Sequence, residues 1–347
     1  VIDFRYHLVS IVAVFLSLAI GIVVGATALK PKTEQLLDRA SKHEQQQISS
    51  QREQIKGLQD QLNGDRTFAQ ASSPLVLKNL LAGQQVVLVT APGADGATIS
   101  GVTTAVQLAG AKVTGQAALQ PAFFGTSAST QGSLDTLAQS VAPPGVTVGV
   151  QTGLPDTNAQ IAAQQEAAQV LAPALVTKNG SDLPAGQTKA IIDGFARQGF
   201  LQMNYESGAT ELSQATLAVV IIPAVPPAAG AADPANLALI SLAGQLKASS
   251  RGVVLAGPLA GSGTGSAIDE VINGNTGVSL SSVDDANTVV GQIEVVQALS
   301  FLLARHAPAA YGVLPDTAPS PAPGPAPTPA PSGPARTGQA VNSKSGG

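Results

Sequence analysis

Residues 8–29 carry no charged side chain, and this run of twenty-two residues constrains the chain more than any other feature. As an α-helix it reaches roughly 33 Å, enough for the roughly 30 Å hydrocarbon core of a bilayer. Uncharged apolar runs of this length are rare in the cores of soluble domains. Two readings fit. One is a permanent single-pass anchor; the other is a cleaved secretory signal ending at Ala26-Thr27-Ala28. The length of the run, and a leading flank in which Asp3 offsets Arg5, favour the anchor. Arg5 before the run and Lys30 and Lys32 after it give no clear orientation. Ala13, Ser17, Gly21 and Gly25 recur at every fourth position, which makes one helix face small enough for a second helix to pack closely in lipid. Gly and Ala are also common in membrane helices generally.

Residues 30–66 hold 13 of the chain's 40 Asp, Glu, Lys and Arg residues, seven basic and six acidic. Mixed signs and a net charge of −4 argue against a nucleic-acid partner. Between Thr33 and Asn63 there is one Gly and no Pro, so the segment reads as helix. One heptad frame places Ser41, Ile48, Ile55 and Leu62 at a, and Leu37, Glu44, Gln51 and Leu58 at d. Three polar positions make this seam weak by itself. Sharing an axis with a self-associating membrane helix would strengthen it. The expectation is a coiled-coil stalk over 30–70 and a homo-oligomer built through stalk and anchor. The alternative is a solvated single helix acting as a spacer of roughly 45–50 Å.

Over residues 74–312 charge becomes sparse and short apolar runs alternate with helical patterns. Strands are expected at 86–90, 112–117, 146–150, 199–204, 217–223, 252–256 and 278–280. Helices are expected at 97–109, 133–140, 159–171, 187–198, 234–249, 266–273 and 284–305. The run Leu217-Ala218-Val219-Val220-Ile221-Ile222 is apolar on both faces, as in a parallel sheet covered by helices. The fold class is α/β, a mostly parallel sheet flanked by helices, with a possible division into halves near 175–190. Continuous short runs interleaved with helices do not fit the ten-residue alternating segments of a membrane β-barrel. Residues 313–347, rich in Pro and Ala, read as a disordered or polyproline-like tail.

Little in the sequence points to catalysis or metal binding. The chain has no Cys, no Trp, a single methionine at Met203, and three histidines, His7, His43 and His306, with no metal-ligand spacing. Two Gly-containing turns follow strands, Ala91-Pro92-Gly93-Ala94-Asp95-Gly96 and Gly257-Pro258-Leu259-Ala260-Gly261-Ser262-Gly263. In an open α/β sheet such turns line the ligand crevice, but neither matches a dinucleotide or P-loop fingerprint. Of the acidic pairs Asp269-Glu270 and Asp284-Asp285, the second is expected to cap the last helix. His306 is the sole candidate base for a Ser-His-Asp arrangement, and no nucleophile elbow accompanies it. The expectation is therefore no enzyme, no catalytic, cofactor-binding or metal residue, and no cofactor.

The opening Val1-Ile2-Asp3-Phe4-Arg5-Tyr6-His7-Leu8-Val9-Ser10, the apolar run and stalk after it, the strand and Pro-Gly turn at 86–93, the stretch Ser282-Val283-Asp284-Asp285-Ala286-Asn287-Thr288-Val289-Val290-Gly291-Gln292 and the closing Ala310-Tyr311-Gly312 resemble the actinobacterial MctB (mycobacterial copper transport protein B) family. Val1 stands where an initiator Met would be, which reads as a complete N-terminus. The resemblance implies a membrane-anchored envelope protein, with its body outside the cytoplasm, acting in copper homeostasis or efflux. It also implies a link to envelope integrity or division, hence the alternative of a non-enzymatic oligomeric scaffold working with an envelope protein partner. Copper enters by the resemblance alone, and no copper ligand carries over.

Overall fold

The computed structural model describes residues 4–143, 146, 148–149, 161–179, 183–205, 213–224, 233–273, 276–315 and 317, with backbone alone at 4–5 and 27–41. The chain divides into two compact units, residues 1–67 and 68–347. In the first, helix α1 (Phe4–Leu77) begins at the N-terminal flank and takes in both the apolar run and the charged segment. Residues Tyr6–Ala26 have a mean hydropathy of 2.8 and are not buried by any other part of the chain, so this helix is long and apolar enough to cross a membrane. Ile48, Ile55, Leu58 and Leu62 are likewise exposed, at 42–67 %.

In the second unit one sheet runs from β1 to β7. Its strands are β1 (Gln85–Thr90), β2 (Lys112–Leu119), β3 (Leu201–Tyr205), β4 (Leu217–Ile221), β5 (Gly252–Ala256), β6 (Ser281–Val283) and β7 (Ala310–Tyr311). The spatial order is β3-β2-β1-β4-β5-β6-β7. All pairs are parallel except β2 with β3. Every residue of β4 and β5 is buried, as strands apolar on both faces require. The helices are α2 (Gly96–Leu108), α3 (Ala128–Val141), α4 (Ala162–Leu175), α5 (Ala185–Arg197), α6 (Pro234–Ser249), α7 (Ala267–Ile272) and α8 (Val289–Leu303). Val87, Val89, Val220 and Leu255 face α3–α7 in one core, and Val86, Leu88, Val219 and Val254 face α2, α8 and the Leu77 end of α1 in another. Among the described residues the sheet is thus a middle layer between helices, with β3 and β7 at its ends rather than paired into a barrel.

Several boundaries differ from the sequence expectation for identifiable reasons. The strand expected at 146–150 is absent at Val146, Val148 and Gly149, while 147 and 150 lie outside the described residues. Gly149 spends its backbone N–H and C=O on the Gln169 side chain instead of a neighbouring strand. The strand expected at 278–280 lies three residues later, as β6. Its serines are tolerated there because Ser281 Oγ accepts from the Ala309 N–H, while Val278 and Leu280 pack against the α3–α7 core. Helix α3 begins earlier than expected because Ser127 caps it, accepting from the Thr130 N–H. Helix α4 runs through Pro173 to Leu175. The last helix begins at Val289 rather than Asp284, with Thr288 as its cap. Asp284 and Asp285 therefore do not cap it. The tail from 318 onward lies outside the described residues, whereas Val313 and Leu314 are hydrogen-bonded to the body.

Candidate functional site

Open α/β sheets place their crevice where the strand order reverses. Here that point lies between the carboxyl ends of β1 and β4. The turn after β1 uses Gly93 at φ +82°, and the Gly93 carbonyl accepts from the Ala224 N–H at 3.0 Å. The turn after β5 presses in from the side, so that a Cβ at Gly261 would lie 2.0 Å from the Pro223 carbonyl oxygen. Backbone therefore fills the crevice between these turns. The N-terminus of α2, which would face an anion, is capped from within: Asp95 accepts from the Thr98 N–H and hydroxyl, each at 2.9 Å. Those bonds hold its carboxyl below the usual carboxylate range. A fixed negative charge on that helix end opposes a phosphate.

Further along the same edge lies a buried acidic cluster. Asp284 is fully buried after β6 and accepts from the backbone N–H groups of Val313 (2.9 Å) and Leu314 (3.1 Å). Gly312 makes this approach possible, because its φ is +128° and a Cβ would lie 2.3 Å from an Asp284 oxygen. Asp285 accepts from the Thr288 hydroxyl at 2.9 Å. Burial pushes its carboxyl up, and the charge of Asp284 adds to that rise. Glu294 on α8 is also buried and hydrogen-bonds the Asp285 carboxyl. A bond between two carboxyl groups needs one proton held between them. Burial and the Glu294 charge raise the Tyr311 hydroxyl as well. The cluster fastens the chain leaving β7 onto the sheet. No group of three or more His, Cys, Asp or Glu side chains among the described residues is placed to hold a metal ion.

The remaining sequence candidates are dispersed. His7 and His43 are exposed on α1, and His306 is exposed and stacks on Phe301 at 4.9 Å between ring centroids. Met203 lies on β3. Asp269 accepts from the Gly265 N–H and from Asn273, completing the start of α7. One pair has no signal in the sequence: Asp135 on α3 and Glu166 on α4. The hydrogen bond that its protonated carboxyl donates to Asp135, burial and the Asp135 charge, in that order, push Glu166 up to about 7. Its carboxyl is then protonated in the fold and ionised in the unfolded chain between its ordinary 4.5 and about 7. The stabilisation is fully present below that window and lost as pH rises through it. Glu166→Gln should accordingly flatten the fall in urea midpoint between pH 5 and pH 8, and an unchanged fall would remove the pair as its source.

Comparison with known proteins adds two findings. The family described as "Copper transport outer membrane protein, MctB" matches residues 1–323. The chain is also 26 % identical over 317 residues to a protein named copper transporter MctB from Mycobacterium leprae (strain TN), covering 90 % of this chain and 96 % of that one.

Proposed function

Because the chain belongs to the MctB family, we propose that it is a membrane-anchored envelope protein acting in copper homeostasis or efflux. The observation that carries the membrane half of this reading is the unburied apolar helix over Tyr6–Ala26. That segment spans the bilayer once and holds the body on the extracytoplasmic side. Of the softest ligands, His7 and His43 stand far apart along α1, Met203 is on β3 and His306 follows α8. This favours copper being handled together with an envelope partner rather than carried by one isolated chain. The body is non-catalytic in this reading, consistent with a crevice closed by the bond from Ala224 to Gly93. Neither nucleic acid nor a cofactor is involved.

A strain lacking the protein is expected to accumulate several-fold more copper and to stop growing at lower copper, with both restored by the full chain. Unchanged copper content would overturn this reading. A second reading, an oligomeric scaffold for envelope integrity or division, is favoured by the exposed Ile48, Ile55, Leu58 and Leu62 on one seam of α1. In that case the deletion strain should show altered cell shape and drug sensitivity at normal copper, and the partner should copurify from membrane extracts.

A further inference from the structure

Helix α1 is continuous from Phe4 to Leu77, so directions around it can be compared between its apolar segment and its stalk. At 100° per residue, the midline of Ala13, Ser17, Gly21 and Gly25 lies roughly 165° around the helix from the midline of Ile48, Ile55, Leu58 and Leu62. Both faces are bare. A Cβ at Gly21 or Gly25 would meet nothing within 4 Å, and the four stalk side chains are exposed. A two-fold pair of such helices can close on one of these faces and not on both. The two faces, each suited to self-association, therefore do not belong to one common seam.

We propose that the stalk face pairs with the same face of a second copy of the chain, parallel and in register over residues 48–62, and that the small-residue face of the apolar segment points away from that pair. This rests on the scaffold reading above and deepens it by naming the partner and the face. The flanking positions select a second copy. In the heptad frame, positions e and g hold Gln45, Gln47, Gln54, Gln59 and Gln61, with Arg52 the one charge among them. A glutamine side chain carries both donor and acceptor, so it is complementary to its own copy. These positions give an acidic or basic partner helix almost nothing to recognise. Gln51 at d can pair with itself in the same way. Glu44, the next d position toward the apolar segment, would set two carboxylates face to face, which ends the pairing there. Two chains anchored in one bilayer point the same way, which makes the pair parallel. Their high effective concentration offsets a seam of only about two heptads.

The chain has no cysteine, so single-cysteine variants report cleanly. With helix axes 8–10 Å apart, the two copies of Ile55 bring their Cα atoms to roughly 5 Å and the two copies of Gly21 hold theirs roughly 13 Å apart. A disulfide needs less than about 7 Å. In full-length protein reconstituted in phosphatidylcholine vesicles, Ile55→Cys is expected to form a covalent dimer on mild oxidation. Gly21→Cys should not, and neither should Glu53→Cys, which lies at f on the far side of the stalk and reports chance collision. Added to Ile55→Cys, Gly21→Ile should leave the yield of dimer unchanged, whereas Ile48→Lys with Leu62→Lys should lower it at least about tenfold. Linking of Gly21→Cys overturns the proposal, as does equal linking of Ile55→Cys and Glu53→Cys or no link at Ile55→Cys. The scaffold reading is tested separately by the deletion strain. Altered cell shape without the Ile55→Cys link sinks the pairing alone, and the link in a strain of normal shape sinks the scaffold alone.

Discussion

Asp284→Ala is expected to destabilise the body by about 3 kcal/mol, read as a lower urea midpoint at unchanged slope. The carboxylate accepts from two backbone N–H groups, on Val313 and Leu314, from a fully buried position. Removing it forfeits two charge-assisted bonds and leaves both donors without a partner. Gly312→Ala should cost about the same, since its Cβ would fall within 2.6 Å of both Asp284 oxygens and its φ of +128° disfavours a side chain. The two changes share one contact, so the double variant should be less destabilised than the sum of the singles. The carboxylate that the alanine would strike is gone in the double variant, while the strain at φ remains. Strict additivity would mean that Gly312 is required for its backbone angle alone.

The second large effect is expected at Gly261→Ala, again about 3 kcal/mol. The Cβ there meets the Pro223 carbonyl oxygen at 2.0 Å and the Ala224 Cα at 3.5 Å, both of them backbone with no rotamer to yield. Relief requires the turn after β5 to withdraw from the turn after β4, at the centre of the sheet's carboxyl edge. Gly263→Ala, two residues on with nothing within 4 Å of its Cβ, is the control and should stay within about 0.5 kcal/mol of the parent. Equal effects at both positions would show that the close approach at Gly261 does not restrain the fold.

How far the sequence could be read depends on whether each signal was local. Helix α6 begins and ends where expected because Asp233 and Pro234 form its start within three residues, with Asp233 accepting from the Ala235 N–H. The apolar runs of β4 and β5 needed only their own composition. The acidic cluster was opaque because its logic is tertiary. A carboxylate pair before a helix suggests caps, yet Thr288 takes that place, and Asp284 instead serves donors 29 and 30 residues away. Strand β6 was hidden because Ser281 and Ser282 read as a turn until a neighbouring strand supplies partners. Asp135 and Glu166 meet only because α3 packs on α4.

The position of β1 in the sheet also sets an order of events during synthesis. Its two neighbours are β2, close behind it, and β4, where the hydrogen-bonded residues Gln85 and Thr216 lie 131 positions apart. At about 5–20 residues per second the ribosome takes roughly 7–26 s to reach the second neighbour. Until then Val86–Val89 and the paired β2 present an unfilled parallel edge in a compartment full of other nascent chains. A chain delivered to a membrane by its first helix is held there throughout that interval. Its survival before folding thus depends on what shields one apolar edge between the emergence of β2 and that of β4.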